Sequence, residues 1–149
     1  MRVLALDVGE RRIGLAISDP SRTLARPLRT LTRRGPLAVV VAELAAQVAA
    51  LAAEDDGVGT IVIGLPRALD GRETAQTSRV RALADALGAA VALPIAFQDE
   101  RLTSREAESR LALREPDWRK RKQALDAAAA AVILQDYLDG QERQRVEDE

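Results

Sequence analysis

The sequence contains no cysteine and no histidine. The first absence excludes disulfides and thiolate metal sites. The second removes serine–histidine–aspartate and cysteine–histidine catalysis, imidazole metal ligands and histidine general bases together. Aromatic residues are scarce as well: Phe97, Trp118 and Tyr137 are the only three, so a core built by this chain must be aliphatic and rich in alanine. The apolar runs are far shorter than a membrane span, and no signal-peptide pattern precedes Asp7. The expected compartment is therefore the cytoplasm, with no membrane as partner. Any catalysis has to rest on carboxylates, on lysine or arginine, on hydroxyls or on a bound metal.

What is present is a globular composition. The chain has 149 residues, 47% hydrophobic and 30% charged, which is enough for one domain that buries about 70% of its unfolded surface. A net charge of −1 conceals a segregation: residues 1–35 carry eight arginines against three acids, and residues 101–122 carry eight bases against four acids. The segments between and after them are acidic. Two basic segments can hold phosphates locally whatever the total, although solvated arginine-rich loops give the same count.

Residues 1–8 and 12–18 read as two strands joined by a short turn at Gly9, which suggests a hairpin. Residues 26–31 are a third, weaker strand. Pro36 suits a helix start, and PLAVVVAELAAQVAALAAED is amphipathic with Gly57 and Gly59 beyond its end. Residues 60–64 (TIVIG) form a short buried strand. A loop with Asp70 and Gly71 leads to a helix from about Glu73 to Leu87, ended by Gly88. Residues 91–98 are the next strand, where Pro94 marks an edge or a bulge. Thr103 and Glu106 fit a capping box for a helix reaching about Arg114. Residues 115–122 are a loop, residues 123–138 the last helix, and QERQRVEDE a loose end. This order predicts an α/β fold: a mixed five-stranded sheet, three antiparallel strands then parallel crossovers, with helices on both faces. One domain would cover residues 1–140, and a flexible acidic tail residues 141–149.

Acids stand at conspicuous places in that order. In LALDVGERRIGLAISDP the apolar run from Val3 to Leu6 ends on Asp7, which reads either as a turn acid or as a site beyond a strand end. FQDERLTSREA repeats the pattern with Asp99 and Glu100. Neighbours on a strand point to opposite faces, so only one of the two would face such a site; a surface pair of Glu100 with Arg101 is the alternative. Asp126 shares a helical face with Ala130, Ile133 and Tyr137. A carboxylate on a packed stripe wants a base or a cation, although an acid near a helix start needs no site at all. Three carboxylates from separated segments, without imidazole or thiol, suit a hard ion such as Mg²⁺ or Mn²⁺ and phosphoryl-transfer chemistry.

Four stretches in order, LALDVGERRIGLAISDP, VIGLPRALDG, FQDERLTSREA and LDAAAAAVILQDYL, resemble the YqgF/RuvX family over nearly all of residues 1–138. The resemblance implies a ribonuclease H-like fold, with members described as nucleases of the small-subunit rRNA precursor or as Holliday junction resolvase-like proteins. It places the family's first-strand acid on Asp7, its DER acid on Glu100 and its last-helix acid on Asp126, with Asp99 as substitute should strand parity run the other way. The family's DG loop falls on Asp70 and Gly71. In one departure, the basic stretch before the last helix reads RKRKQAL, which leaves the cation matching a family position unassigned.

Arg11, Arg12, Arg101 and the run Arg119, Lys120, Arg121 and Lys122 are the expected phosphate contacts. Trp118 beside that run either anchors a loop or stacks on a base. The expected activity is metal-dependent cleavage in 5′-end maturation of pre-16S rRNA, with the assembling small ribosomal subunit as a partner. Resolution of four-way DNA junctions comes second; its two symmetric nicks favour a homodimer, whereas trimming rRNA suits a monomer. A non-catalytic RNA-binding assembly factor is third. The Asp7–Gly9 turn also resembles the phosphate-binding hairpin of actin-like ATPases and sugar kinases, but those close two such domains over a nucleotide and this chain supplies one.

Overall fold

The computed structural model describes the backbone of residues 1–100 and 118–149, and the side chains of residues 1–100 and 124–149. Five strands form one sheet: β1 (Arg2–Val8), β2 (Arg12–Ser18), β3 (Ala25–Thr32), β4 (Val58–Leu65) and β5 (Ile95–Asp99), in the spatial order β3-β2-β1-β4-β5. β1 pairs antiparallel with β2, and β2 with β3, while β4 and β5 add on in parallel. Helix α1 (Leu37–Ala52) joins β3 to β4, α2 (Ala75–Val91) joins β4 to β5, and α3 (Trp118–Asp148) ends the chain. The expected mixed sheet with helices on both faces is thus what forms. The capping box at Thr103 and Glu106 and its helix lie outside the described residues.

The two faces of the sheet are unlike. Alternation sends Leu4, Leu6, Ile13, Leu15, Ile17, Ile61 and Ile63 to one side, where they pack on Leu44 and Val48 of α1 and on Val80, Leu83 and Leu87 of α2. The other side carries Val3, Ala5, Ala16 and Val62 against Ala130, Ile133, Leu134 and Leu138 of α3. Large branched side chains fill the first layer and small ones the second, so α3 can lie close. At Gly14 an added Cβ would fall 1.9 Å from the Asp126 carbonyl oxygen, and at Gly64 it would fall 2.6 Å from Ile133 Cδ1. The largest fully buried side chains are all leucine or isoleucine, the aliphatic core that the scarcity of aromatics implies. At the far end of β1 the buried Arg2 donates to the carbonyls of Gly57 and Leu51 and to Glu54, tying the strand to the C-terminal end of α1.

Three expectations from the sequence are corrected. Helix α2 runs through Gly88 to Val91, and Ala92, in the left-handed region at φ 54°, ends it by donating to the Gly88 carbonyl. Gly88 stays inside the helix at its contact with β5, where a Cβ would approach Ile95 Cδ1 to 3.3 Å. β5 therefore starts after Pro94, whose carbonyl accepts from Ile61 N–H at 3.0 Å, so the proline serves an edge strand through its oxygen alone. Helix α3 is longer than expected at both ends. Residues 118–122 are helical rather than a loop, and the last turns, to Asp148, are helical rather than irregular, though exposed. Pairs at helical spacing, Arg145 with Glu142 and Gln144 with Asp148, hold those turns. Among the described residues no helix is long and apolar enough to cross a membrane.

Two glycine substitutions separate the steric role from propensity. Gly14→Ala should destabilise the fold by about 1–3 kcal/mol or more, since the clash is with backbone that cannot move aside cheaply. Gly140→Ala, whose Cβ would meet only Arg143 Nη2 at 3.8 Å, should stabilise the helix by about 0.5–1 kcal/mol. Urea unfolding midpoints of the two variants read both signs.

Candidate active site at the carboxyl ends of the central strands

Asp7 stands at the carboxyl end of β1, in phase with Val3 and Ala5, so its side chain is on the α3 face. Its partner across β2 is Gly14. On the other flank Gly64 follows Ile63, the partner of Leu6. With glycine on either side, the floor around this carboxylate is bare backbone, and two groups enter the space. One is the first part of α3, which brings Asp126 over Gly14. The other is Glu100. In β5, Ile95 packs with the α2-side core and Ala96 with the α3-side core, while the Phe97 ring lies beneath Arg81 of α2. Continuing the alternation sets Asp99 toward α2 and Glu100 toward α3. Glu100 N–H donates to the Leu65 carbonyl at 3.4 Å, and its Oε2 lies 2.7 Å from where a Cβ on Gly64 would be. The structure thus brings Asp7, Glu100 and Asp126 to one end of the sheet and turns Asp99 away.

Asp7 and Glu100 share a hydrogen bond. Burial pushes the Glu100 carboxyl up to about 9, helped by the Asp7 charge, by that bond and by the Asp99 charge. Burial also raises Asp7, to about 6; the bond from Glu100 works against the rise and the Asp126 charge adds to it. At neutral pH the pair keeps one proton, on Glu100, whose O–H donates to the Asp7 carboxylate. Asp126 is neutralised differently: Arg12 Nε donates to its Oδ2 at 2.6 Å. Among the described residues no base meets Asp7, whose charge is answered by the proton on Glu100.

Among the described residues no three carboxylates close on a common point as metal ligands do, and Asp126 is engaged by Arg12. The donor set nevertheless fits a hard divalent cation. All its donors are carboxylate oxygens, and two of them are held together by a proton that a doubly charged ion would displace.

The turn between β1 and β2 is stiffly held. Gly9 N–H donates to the Arg12 carbonyl at 2.9 Å, and a Cβ on Gly9 would approach that oxygen to 2.8 Å. Arg33, just past β3, donates from its backbone to the Arg11 carbonyl at 2.8 Å and from Nη1 to the Gly9 carbonyl at 3.0 Å. Arg11 is exposed at the tip, whereas Arg12 turns inward onto Asp126. Arg101 lies outside the described residues, as do the side chains of Trp118, Arg119, Lys120, Arg121 and Lys122. Asp70 and Gly71 form the loop after β4, where Asp70 Oδ1 accepts from Arg72 N–H at 2.9 Å and Gly71 has φ 88°. Sequence reasoning missed Gly14 and Gly64, although a glycine inside an apolar strand is the usual mark of close backbone approach. It also missed the pairing of Arg12 with Asp126.

A family model described as "RuvX: Holliday junction resolvase" matches residues 1–140. A protein of Pelotomaculum thermopropionicum named "Putative pre-16S rRNA nuclease" is 39% identical over 147 residues, covering 99% of this chain and 92% of the relative. One of the same name from Anaeromyxobacter sp. is 44% identical over 143 residues, covering 94% and 98%. Among solved structures, "T. thermophilus RuvC in complex with Holliday junction substrate" aligns with a TM-score of 0.54 over 95% of this chain and 96% of that one, at 16% identity. That likeness is one of fold, and the fold is ribonuclease H-like.

The shared proton predicts an unusual pH dependence. Both acids bind protons more tightly folded than unfolded, with ordinary values of 3.8 and 4.5 raised to about 6 and about 9. The folded chain then holds the extra protons across that window, and stability falls as pH rises through it. With chelator present, the Tm should decline from about pH 5 to about pH 9. Glu100→Gln, which keeps a donor toward Asp7 but cannot ionise, should flatten the upper part of that decline.

Proposed function

The chain belongs to the RuvX family, and on that premise we propose that it is a metal-dependent endonuclease that matures the 5′ end of pre-16S rRNA. Its reaction class follows from the family: it is a nuclease, a hydrolase of phosphodiester bonds. The observation that carries the site assignment is the buried, hydrogen-bonded pair Asp7–Glu100 at adjoining strand ends, with Asp126 beside it. A protein rarely collects acids in one buried place without a cation to hold or a proton to move.

Asp7, Glu100 and Asp126 are the candidate catalytic and metal-holding acids of a domain spanning residues 1–140. A divalent cation, Mg²⁺ or Mn²⁺, bound there would activate water and screen the charge of the phosphate. The chain's own contribution is positional. The glycine floor lets Asp7 and Glu100 meet and brings Asp126 beside them, and the packed face of α3 keeps bulk water from the inner side of Asp7. Glu100 keeps its proton until the site gains positive charge, which limits the repulsion that Asp7 meets beforehand. Arg12 holds Asp126 through Nε, and a guanidinium carries further N–H donors able to take a phosphate oxygen. Arg11 beside it is a second phosphate contact, and Arg101, Arg119, Lys120, Arg121 and Lys122 complete the proposed basic surface. The nucleic-acid substrate would be met in the cytoplasm on the assembling small ribosomal subunit.

Cleavage of four-way DNA junctions is the second reading, favoured by the description of the matching family model. Purified protein with Mg²⁺ or Mn²⁺ would be incubated with a labelled 5′ region of the small-subunit rRNA precursor and, in parallel, with a labelled junction. We expect cleavage of the RNA, reduced at least about a hundredfold by Asp7→Asn, since even groups outside a metal's ligand shell cost up to that factor. Cleavage of the junction alone would replace the substrate. Binding of RNA without cleavage by the wild type would make the chain an assembly factor.

A further inference from the structure

Residues 20–42 contain five arginines, Arg22, Arg26, Arg29, Arg33 and Arg34, and no acid. The structure lays them along the edge of the sheet. β3 is the outermost strand, next to β2, and four of the five are exposed, with Arg33 half-buried. Arg26 pairs with Ile17 and Arg29 with Leu15, so both share the face whose β2 neighbours are apolar and neutralise nothing. Among the described residues Arg29 donates to the neutral Gln47 of α1, at 2.8 Å.

Charged side chains on an edge strand often serve to block pairing with another chain. That task is already met here. Pro27 withholds an N–H, and the register slips between Leu15 and Ala16, a bulge that twists the edge away. Five like charges go beyond what edge protection requires, and their mutual repulsion costs stability unless something anionic relieves it. Arg26 and Arg29 are on the α1 face, opposite the acids, and the row comes round to them at its Arg33 end: Arg33 is bonded to the turn of Gly9 and Arg11, whose neighbour Arg12 holds Asp126.

We infer that the β3 edge is a nucleic-acid track, in which Arg22, Arg26 and Arg29 bind successive phosphates of the strand that Arg33 and Arg34 lead to the acid cluster. The strand spans about 25 Å at 3.3 Å per residue, enough for several phosphates. This inference rests on the nucleic-acid reading of the site but not on cleavage.

The test measures binding of a labelled single-stranded RNA from the precursor 5′ region by Asp7→Asn protein, across a salt series. Each phosphate neutralised contributes about 0.7 to the slope of log affinity against log salt. The triple change Arg22→Gln, Arg26→Gln and Arg29→Gln should lower that slope by about 2 and weaken binding at low salt by about tenfold or more. The same three positions changed to lysine should keep the slope. Arg81→Gln, on α2 beside Glu73, should not alter it. If the triple glutamine variant does not fold, Arg26→Gln alone should lower the slope by about 0.7. An unchanged slope in the folded variants overturns the inference, whatever the protein cleaves. A lowered slope in a protein that cleaves neither RNA nor junction upholds the track and removes only the catalytic reading.

Discussion

Helix α3 lies on the bare backbone of the sheet, and the arrangement of the acids depends on that contact. Gly14 and Gly64 leave no Cβ where Asp126 and Ile133 arrive, and Ala5, Ala16 and Ala96 keep the surrounding floor low. A larger side chain at either glycine would lift the helix and carry Asp126 away from Asp7. The opposite face compensates: its layer of leucine and isoleucine, each worth about 1.5–3 kcal/mol when fully buried, supplies stability that the small-residue face cannot. One sheet thus divides the work between a thick, stabilising layer and a thin one that brings backbone and carboxylates together.

Packing three acids so closely creates an electrostatic debt that the protein settles with local means. Glu100 keeps a proton and Asp126 takes a guanidinium, which leaves Asp7 charged in a largely buried place. Along the neighbouring edge the opposite excess stands, with five arginines and no acid in residues 20–42. The two collections do not cancel each other, because Arg26 and Arg29 share the α1 face with Ile17 and Leu15 whereas the acids lie on the α3 face; Asp126 is met instead by Arg12 of β2.

Much of the fold was legible from local pattern. β2 has the bounds read from its apolar run, and the three-strand start followed by parallel crossovers is as the element order implied. One error came from reading a glycine as a stop: Gly88 sits inside α2 because its missing side chain makes room for Ile95. The last helix runs past residue 138 because helical side-chain pairs continue there. Hydrogen bonding and packing outweighed a penalty of about 1 kcal/mol. The choice between Asp99 and Glu100 was open in the sequence, since a shift of one residue in a strand reverses every side chain. Where β5 begins, after Pro94, decides it.

By itself the sequence determined which chemistry was open to this protein. Without histidine or cysteine only carboxylates, hydroxyls, basic side chains and a bound metal remained, and the apolar run before Asp7 set that acid at a strand end. Tertiary structure alone decided how the acids interact. The proton shared by Asp7 and Glu100, and the bond from Arg12 to Asp126 across 114 positions, follow from distance and burial. Both are properties of the space between elements and are encoded in no single stretch of chain.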